Sequence, residues 1–127
     1  MVNTHRGTKA YLLIYAELIT AARYRGTVTY QELAELVGLP LQGIYMGAEL
    51  GEYLGEIVED EVKQGRPMLS AITVRVTGKP GPGFFALAKW LGKLSSDDEG
   101  VQEAFWETEK QAVYETWQRS FTQSDRA

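Results

Sequence analysis

Five basic side chains in the second half of the chain have the type and spacing expected of a phosphate-binding surface. Residues 62–96 contain six Lys or Arg and no Asp or Glu, and five of them form our candidate nucleic-acid-binding set: Arg66, Arg75, Lys79, Lys89 and Lys93. Guanidinium and ammonium groups bind phosphate oxygens and release counterions from nucleic acid. Lys89 and Lys93 are four residues apart and therefore share a helix face. The pattern predicts a basic surface for an anionic partner such as DNA.

An acidic block directly precedes this basic segment. Residues 32–61 contain eight Asp or Glu and no Lys or Arg, so we expect one negative and one positive face on the same domain. The acidic face favours an alternative, contact with a basic protein partner or with the basic block of a second copy in a homodimer. Tyrosine is enriched at interfaces, and the candidate interface residues are Tyr45, Glu49, Tyr53 and Glu56.

Residue types that support catalysis are scarce. The chain has no cysteine, and its single histidine, His5, lies in an amino terminus that we expect to be flexible. The glycines of residues 78–83 lack the flanking residues of a phosphate-binding or dinucleotide-binding loop. We therefore predict a protein that is not an enzyme and has no cofactor and no metal site.

Length and composition predict one ordinary globular domain. The 127 residues carry a formal charge of −4 and are 44% hydrophobic, and we expect a domain over residues 1–121 with a frayed tail over 122–127. The net negative charge argues against a general polyanion binder. Neither a signal peptide nor a spanning segment is recognisable, so we expect a cytoplasmic protein with no membrane partner.

Helices and short strands should position these residues. Helical periodicity predicts a first helix over residues 8–24, and a short extended piece follows at residues 27–29. Thr29 and Glu32 have the spacing of a capping box that opens a helix over residues 30–37. Gly38 and Pro40 end that helix, and the next runs over residues 41–64, either as one helix or as two.

In the second half of the chain, from residue 68, the helical spacing of apolar residues gives way to a pattern typical of a β-strand. Residues 68–76 are rich in β-branched side chains and predict a strand, followed by a glycine-proline loop over residues 77–83. Residues 84–91 predict a helix, and a second capping box from Ser96 to Glu99 opens a long helix to about Ser120. Aromatic side chains in these elements, among them Phe84, Trp90 and Trp106, should pack in the core. The order predicts an α+β fold, a winged helix-turn-helix core with an additional C-terminal helix.

Four glycines in the predicted long helix recur every four residues: Gly43, Gly47, Gly51 and Gly55. On a continuous helix they form one smooth line that another backbone or a ligand can approach closely. Packing against the first helix, or a break near Gly51, explains the same spacing without any partner. We favour these intramolecular explanations at this stage.

The segment from residue 27 to residue 91 resembles the DNA-binding half of the alkylguanine-DNA alkyltransferase and alkyltransferase-like family. The likeness rests on three stretches: TVTYQELA at 27–34, GLP at 38–40 followed by Ile44 and Gly47-Ala48, and PMLSAI at 67–72 with the following glycine-rich turn and helix. The resemblance implies a winged-helix scaffold that contacts DNA. The strand and the Pro-Gly-Pro-Gly-Phe-Phe run also resemble small uncharacterised bacterial and phage proteins, which imply no mechanism.

The chain departs from the alkyltransferase pattern at the residues that perform the chemistry. Residues 70–73, SAIT, stand where the family has its Pro-Cys-His-Arg run, and the arginine that the family inserts into the base stack is missing. Alkyl transfer needs a thiolate nucleophile, which a chain without cysteine cannot supply. The resemblance therefore implies a shared scaffold and no shared reaction.

Three functions follow as expectations. The first is a non-catalytic module that associates with nucleic acid through the basic wing and the helix after it. The second is a protein-interaction or regulatory module that uses the acidic helix-turn-helix face. The third is a small-ligand pocket beneath the glycine-proline loop, for which the sequence offers no specific residues.

Overall fold

The structure is a computed structural model that describes residues 4–40 and 44–120, apart from the side chains of residues 44 and 45. Its elements are α1 (Lys9–Arg23), β1 (Val28–Thr29), α2 (Tyr30–Leu36), α3 (Ile44–Lys63), a 3₁₀-helix (Leu69–Ile72), β2 (Thr73–Val74), α4 (Pro82–Trp90) and α5 (Glu99–Thr116). Five helices and a two-stranded sheet confirm the α+β class. The predicted tail at 122–127 lies outside the described residues.

Local capping signals set the starts of the helices. The Thr29 hydroxyl accepts a hydrogen bond from the Glu32 amide while the Glu32 carboxylate accepts one from the Thr29 amide, so the predicted capping box is confirmed. The second predicted box is wrong. Asp98, two residues after Ser96, caps α5 by accepting from the Val101 amide at 3.0 Å, and the Ser96 hydroxyl accepts from the Asp98 amide instead.

The sheet is smaller than predicted and has a different partner. Of the predicted strand at 68–76, only Thr73–Val74 is extended, and it pairs in parallel with Val28–Thr29. The preceding Leu69–Ile72 forms a 3₁₀-helix because this apolar segment is buried among α1, α3 and α5. The Trp106 indole reaches it from α5 and donates to the Ala71 carbonyl at 2.8 Å.

The loop after β2 leads directly into α4 and not into a second strand. The Arg75 amide donates to the Lys79 carbonyl at 2.8 Å, and Gly78 closes the turn with a φ of +86°. Across the described ranges 4–40 and 44–120, the chain forms no β-hairpin of the kind that makes a wing. α3 is one uninterrupted helix, which answers the question that the sequence left open.

The core surrounds the 3₁₀-helix. Fully buried side chains from α1, α3 and the 3₁₀-helix meet there, among them Ile14, Leu18, Ile57, Leu69 and Ile72. Phe84 and Trp106 are buried as predicted, but Trp90, at the end of α4, is 72% exposed, so its predicted core position is wrong. None of the helices described is both long enough and apolar enough to cross a lipid bilayer.

Candidate ligand-binding cavity

A cavity of about 510 Å³ lies between α3, the start of α2 and the N-terminal half of α4. Apolar side chains form much of its wall: Met46, Leu54, Phe84 and Leu87. The segment Gly81-Pro82-Gly83 closes one side, and four polar side chains complete the lining: Tyr30, Gln31, Ser70 and Arg75. We call this space the α3–α4 cavity.

Three glycines of α3 line the cavity with bare backbone. Gly47, Gly51 and Gly55 follow one another at four-residue intervals, and we call them the glycine face. A Cβ atom built at any of the three would meet no atom within 4 Å in the described part of the chain. Neither packing against α1 nor a helix break therefore accounts for these glycines, contrary to the explanations favoured by the sequence. Gly43 lies outside the described residues.

The glycine face carries a measurable cost. A glycine in a helix interior is less stable than alanine by about 1 kcal/mol, so the three positions together cost about 3 kcal/mol. No neighbouring side chain in the described structure uses the space that they leave open. A molecule that packs directly on the helix backbone would give these glycines a function.

Two polar side chains in the lining have atoms without a hydrogen-bond partner among the described residues. Ser70 is only 5% exposed and its Oγ is unpaired, and the Oε1 of Gln31 is buried and unpaired as well. A buried polar atom without a partner costs about 1–3 kcal/mol. Such atoms are unusual in folded proteins, and these two belong to residues that line the α3–α4 cavity.

The Tyr30 hydroxyl is hydrogen-bonded to the glycine-proline segment that closes one side of the cavity. It accepts a hydrogen bond from the Gly81 amide at 3.2 Å. Burial raises the pKa of Tyr30 above its usual value, so the phenol stays protonated at neutral pH. Its hydrogen is therefore available to donate to a ligand.

Arg75 differs from the other four predicted nucleic-acid-binding residues. It is exposed, it lines the α3–α4 cavity, and it forms no ion pair with a carboxylate in the part of the chain that the structure describes. Each of the other four has an acidic partner: Arg66 with Glu61, Lys79 with Glu103, Lys89 with Asp97 and Lys93 with Glu109.

These ion pairs reduce the positive charge that the basic block presents. Three of the four carboxylates belong to α5 or to the segment just before it, and these elements follow the basic block of residues 62–96 in the chain. Arg66 lies elsewhere, 5.4 Å from the centre of the Trp117 ring, with its guanidinium on the buried carboxylate of Glu61. The five residues therefore do not share one environment, and their role in nucleic-acid binding stays a prediction.

The predicted protein-interface residues lie on the acidic side of α3, where the amino-terminal segment covers them in part. His5 stacks on the ring of Tyr53 at 4.2 Å between ring centres, and its amide donates to Glu56 at 2.8 Å. Tyr53 is only 8% exposed, Glu49 is half-buried, and the side chain of Tyr45 lies outside the described residues. His5, which the sequence placed in a flexible terminus, thus packs against α3 in the described structure.

A second cavity of about 460 Å³ adjoins the first and shares Gly51, Gly55 and Leu87 with it. Its other lining residues include three acidic ones, so we call it the acidic compartment: Thr4, Arg6, Glu52, Glu56 and Glu59. Arg6 pairs there with Glu59 at 2.9 Å and with Asp60 at 3.0 Å. The two sides of the glycine face therefore differ in charge.

Sequence reasoning missed Tyr30, Gln31 and Ser70 as site residues. The glycine spacing and the glycine-proline loop were the available signals, and the structure brings both to the same cavity. Comparison of the chain with models of known protein families, with curated proteins and with solved structures gave no match. The function must therefore be argued from the geometry of this cavity.

Proposed function

We propose that this protein is a small-molecule binding domain whose ligand occupies the α3–α4 cavity and packs on the glycine face. The observation that carries the proposal is the coincidence of three unfilled glycine positions and the unpaired Oγ of Ser70 at one cavity. Each feature costs stability in the empty protein, and a bound ligand offsets both.

The size and chemistry of the cavity support this function. Small-molecule sites commonly have volumes of about 300–1,000 Å³, apolar walls and a few well-placed polar groups. The α3–α4 cavity has a volume of about 510 Å³, with Tyr30, Gln31, Ser70 and Arg75 as its polar groups. The flat surface of a bare helix backbone suits a planar ring or an extended chain.

A neutral fluorescent probe tests the proposal without knowledge of the natural ligand. N-phenyl-1-naphthylamine becomes fluorescent in apolar cavities, and we expect saturable binding with one site per chain. Gly51→Leu places a side chain in the open space and should weaken binding at least tenfold. Ala48→Leu is the matched control, because Ala48 is exposed on the same helix and does not line the cavity.

Two results would overturn the proposal. One is the absence of saturable binding to the folded parent protein. The other is an equal loss of binding in Gly51→Leu and Ala48→Leu, because that would place the probe outside the cavity. Circular dichroism and a cooperative thermal transition establish that both variants are folded before binding is compared.

The functions predicted from the sequence stay proposals beside this one, as does the winged-helix assignment. Titration of labelled single- and double-stranded DNA at low and moderate salt tests the nucleic-acid module. Lys79→Glu combined with Lys89→Glu should abolish binding if the loop and α4 carry it, and unchanged affinity would refute that surface. Size-exclusion chromatography at several ionic strengths tests the homodimer.

A further inference from the structure

The lining of the α3–α4 cavity carries charge of only one sign, positive, among the described residues. Arg75 is the only charged residue in its lining as the described structure defines it. Its guanidinium is without a carboxylate partner in the described ranges, whereas Lys79, in the same loop, pairs with Glu103 at 2.5 Å. An arginine at the edge of an apolar cavity, with no acid to neutralise it, favours an anionic group on whatever enters.

The N-terminus of α4 points to the same kind of group. This helix has nine residues, its N-cap is Gly81 without a side-chain hydrogen bond, and its first turn contains no acidic residue. Gly81, Pro82 and Gly83, at this end of the helix, all line the cavity. Pro82 has no amide hydrogen, and the amides of Gly81 and Phe84 donate to the Tyr30 hydroxyl and the Gly81 carbonyl. The attraction of this end for an anion therefore comes from the helix dipole and the amide of Gly83.

Ser70 adds an independent indication that a ligand belongs here. Its side chain is 5% exposed, lines the same cavity and has an Oγ with no partner in the described part of the chain. A serine hydroxyl donates as well as accepts. With the Tyr30 hydroxyl, which already accepts from Gly81, the cavity offers two neutral donors beside one cation.

We infer that the ligand of the α3–α4 cavity is a small organic anion, in which a carboxylate, sulfonate or phosphate group is attached to an apolar ring or chain. The anionic group lies by Arg75 and the N-terminus of α4, and the apolar part lies on the glycine face. This inference rests on the proposed function, because it names the chemical class of the ligand for the same cavity.

The acidic compartment lies on the other side of the glycine face and carries charge of the opposite sign. Each of its three carboxylates has a partner in the amino-terminal segment: Arg6 contacts Glu59 at 2.9 Å, the His5 ring contacts Glu52 at 3.1 Å, and the His5 amide donates to Glu56 at 2.8 Å. Arg75 has no such partner among the described residues. The acidic compartment still keeps a net negative charge, because Glu52, Glu56 and Glu59 face only one cation, Arg6, in its described lining, so the positive side of the glycine face is the α3–α4 cavity with Arg75.

A matched pair of probes tests the inference. 1-Anilinonaphthalene-8-sulfonate and N-phenyl-1-naphthylamine share one ring system, and only the first carries an anionic group. We expect the sulfonate to bind at least tenfold more tightly, since hydrogen bonds to a charged group contribute about that much. Arg75→Gln should remove about tenfold of the affinity for the sulfonate and leave the affinity for the neutral probe unchanged.

Lys79→Gln is the control for this variant. It removes the same charge from the same loop, but Lys79 does not line the cavity and is already paired with Glu103. We expect it to leave the affinity for both probes within about twofold of the parent value. An equal loss of sulfonate binding in Lys79→Gln and Arg75→Gln would show a general charge effect and overturn the inference.

Failure of the inference is distinguishable from failure of the proposed function. If both probes bind equally tightly and Arg75→Gln changes neither affinity, the cavity binds ligands but does not select anions. If neither probe binds the folded protein, the proposed function fails and the inference fails with it. Gly51→Leu should weaken the binding of both probes. This loss would show that they bind in the cavity and not to partly unfolded chains.

Discussion

Replacing Gly51 and Gly55 with alanine tests whether the glycine face is kept for a molecule outside the described chain. Both residues lie in the interior of α3, and a Cβ atom at either position meets nothing within 4 Å among the residues that the structure describes. Alanine therefore gains its full helix propensity without a clash. Each substitution should raise the free energy of unfolding by about 1 kcal/mol, and the pair by about 2 kcal/mol.

Urea denaturation followed by far-ultraviolet circular dichroism measures this gain. The double variant should also melt about 8 °C higher, since about 4 °C corresponds to each kcal/mol in a chain of this length. The same variant should bind N-phenyl-1-naphthylamine less tightly than the parent, because two methyl groups occupy space that the probe needs. A gain in stability coupled to a loss of binding is the expected signature.

Gly65→Ala is the matched control at the end of the same helix. A Cβ atom built at Gly65 also has no neighbour within 4 Å in the described ranges, but the φ of Gly65 is +77°, a conformation that alanine adopts only with strain. This substitution should lower the free energy of unfolding by about 1 kcal/mol. The comparison separates the effect of open space from the effect of backbone conformation.

An unchanged or reduced stability of the double variant would refute the reasoning. It would mean that the glycine face is already in contact with another group in solution. Dependence of the unfolding free energy on protein concentration would then identify a second copy of the chain as that group.

Three further predictions concern buried polar groups. Ser70→Ala should raise the free energy of unfolding by about 1 kcal/mol, measured in urea, because it removes an unpaired buried hydroxyl; a loss would show that the hydroxyl has a partner. Arg66→Met should lower it by about 3 kcal/mol by leaving the buried Glu61 carboxylate without its cationic partner, against less than about 1 kcal/mol for Lys79→Met in an exposed pair. Burial, with hydrogen bonds to Asp60 and Glu61, raises the pKa values of Tyr11 and Tyr15. The unfolded chain ionises first near pH 10, so stability should fall as the pH rises above that value, and Tyr15→Phe should flatten the fall.

The sequence predicted those elements whose signals are local. The helical periodicity of α1 and the capping box at Thr29 are visible within single segments, and both the helix and the box are confirmed. The strand predicted at 68–76 failed because a buried apolar run is compatible with several backbone conformations. The segment Leu69–Ile72, buried among α1, α3 and α5, forms a 3₁₀-helix instead.

The candidate site was predictable only in fragments. The glycine spacing on α3 and the glycine-proline loop were visible, but the sequence places them 22 or more residues apart. Tyr30 and Ser70 carried no signal, because a tyrosine in a helix start and a serine in an apolar run are common in cores. Folding brought the four features together around one cavity.

The charged residues show most clearly which properties the sequence determined and which the tertiary structure decided. The sequence by itself determined an acidic block and a basic block, since composition along the chain is fixed before folding. Only the tertiary structure decided which charges meet, because α5 brings Glu103 and Glu109 to Lys79 and Lys93, and the amino-terminal segment brings Arg6 to the acidic face. Ion pairing depends on distances of a few ångströms between residues far apart in the chain, and these contacts left Arg75 at the cavity without a carboxylate partner among the described residues.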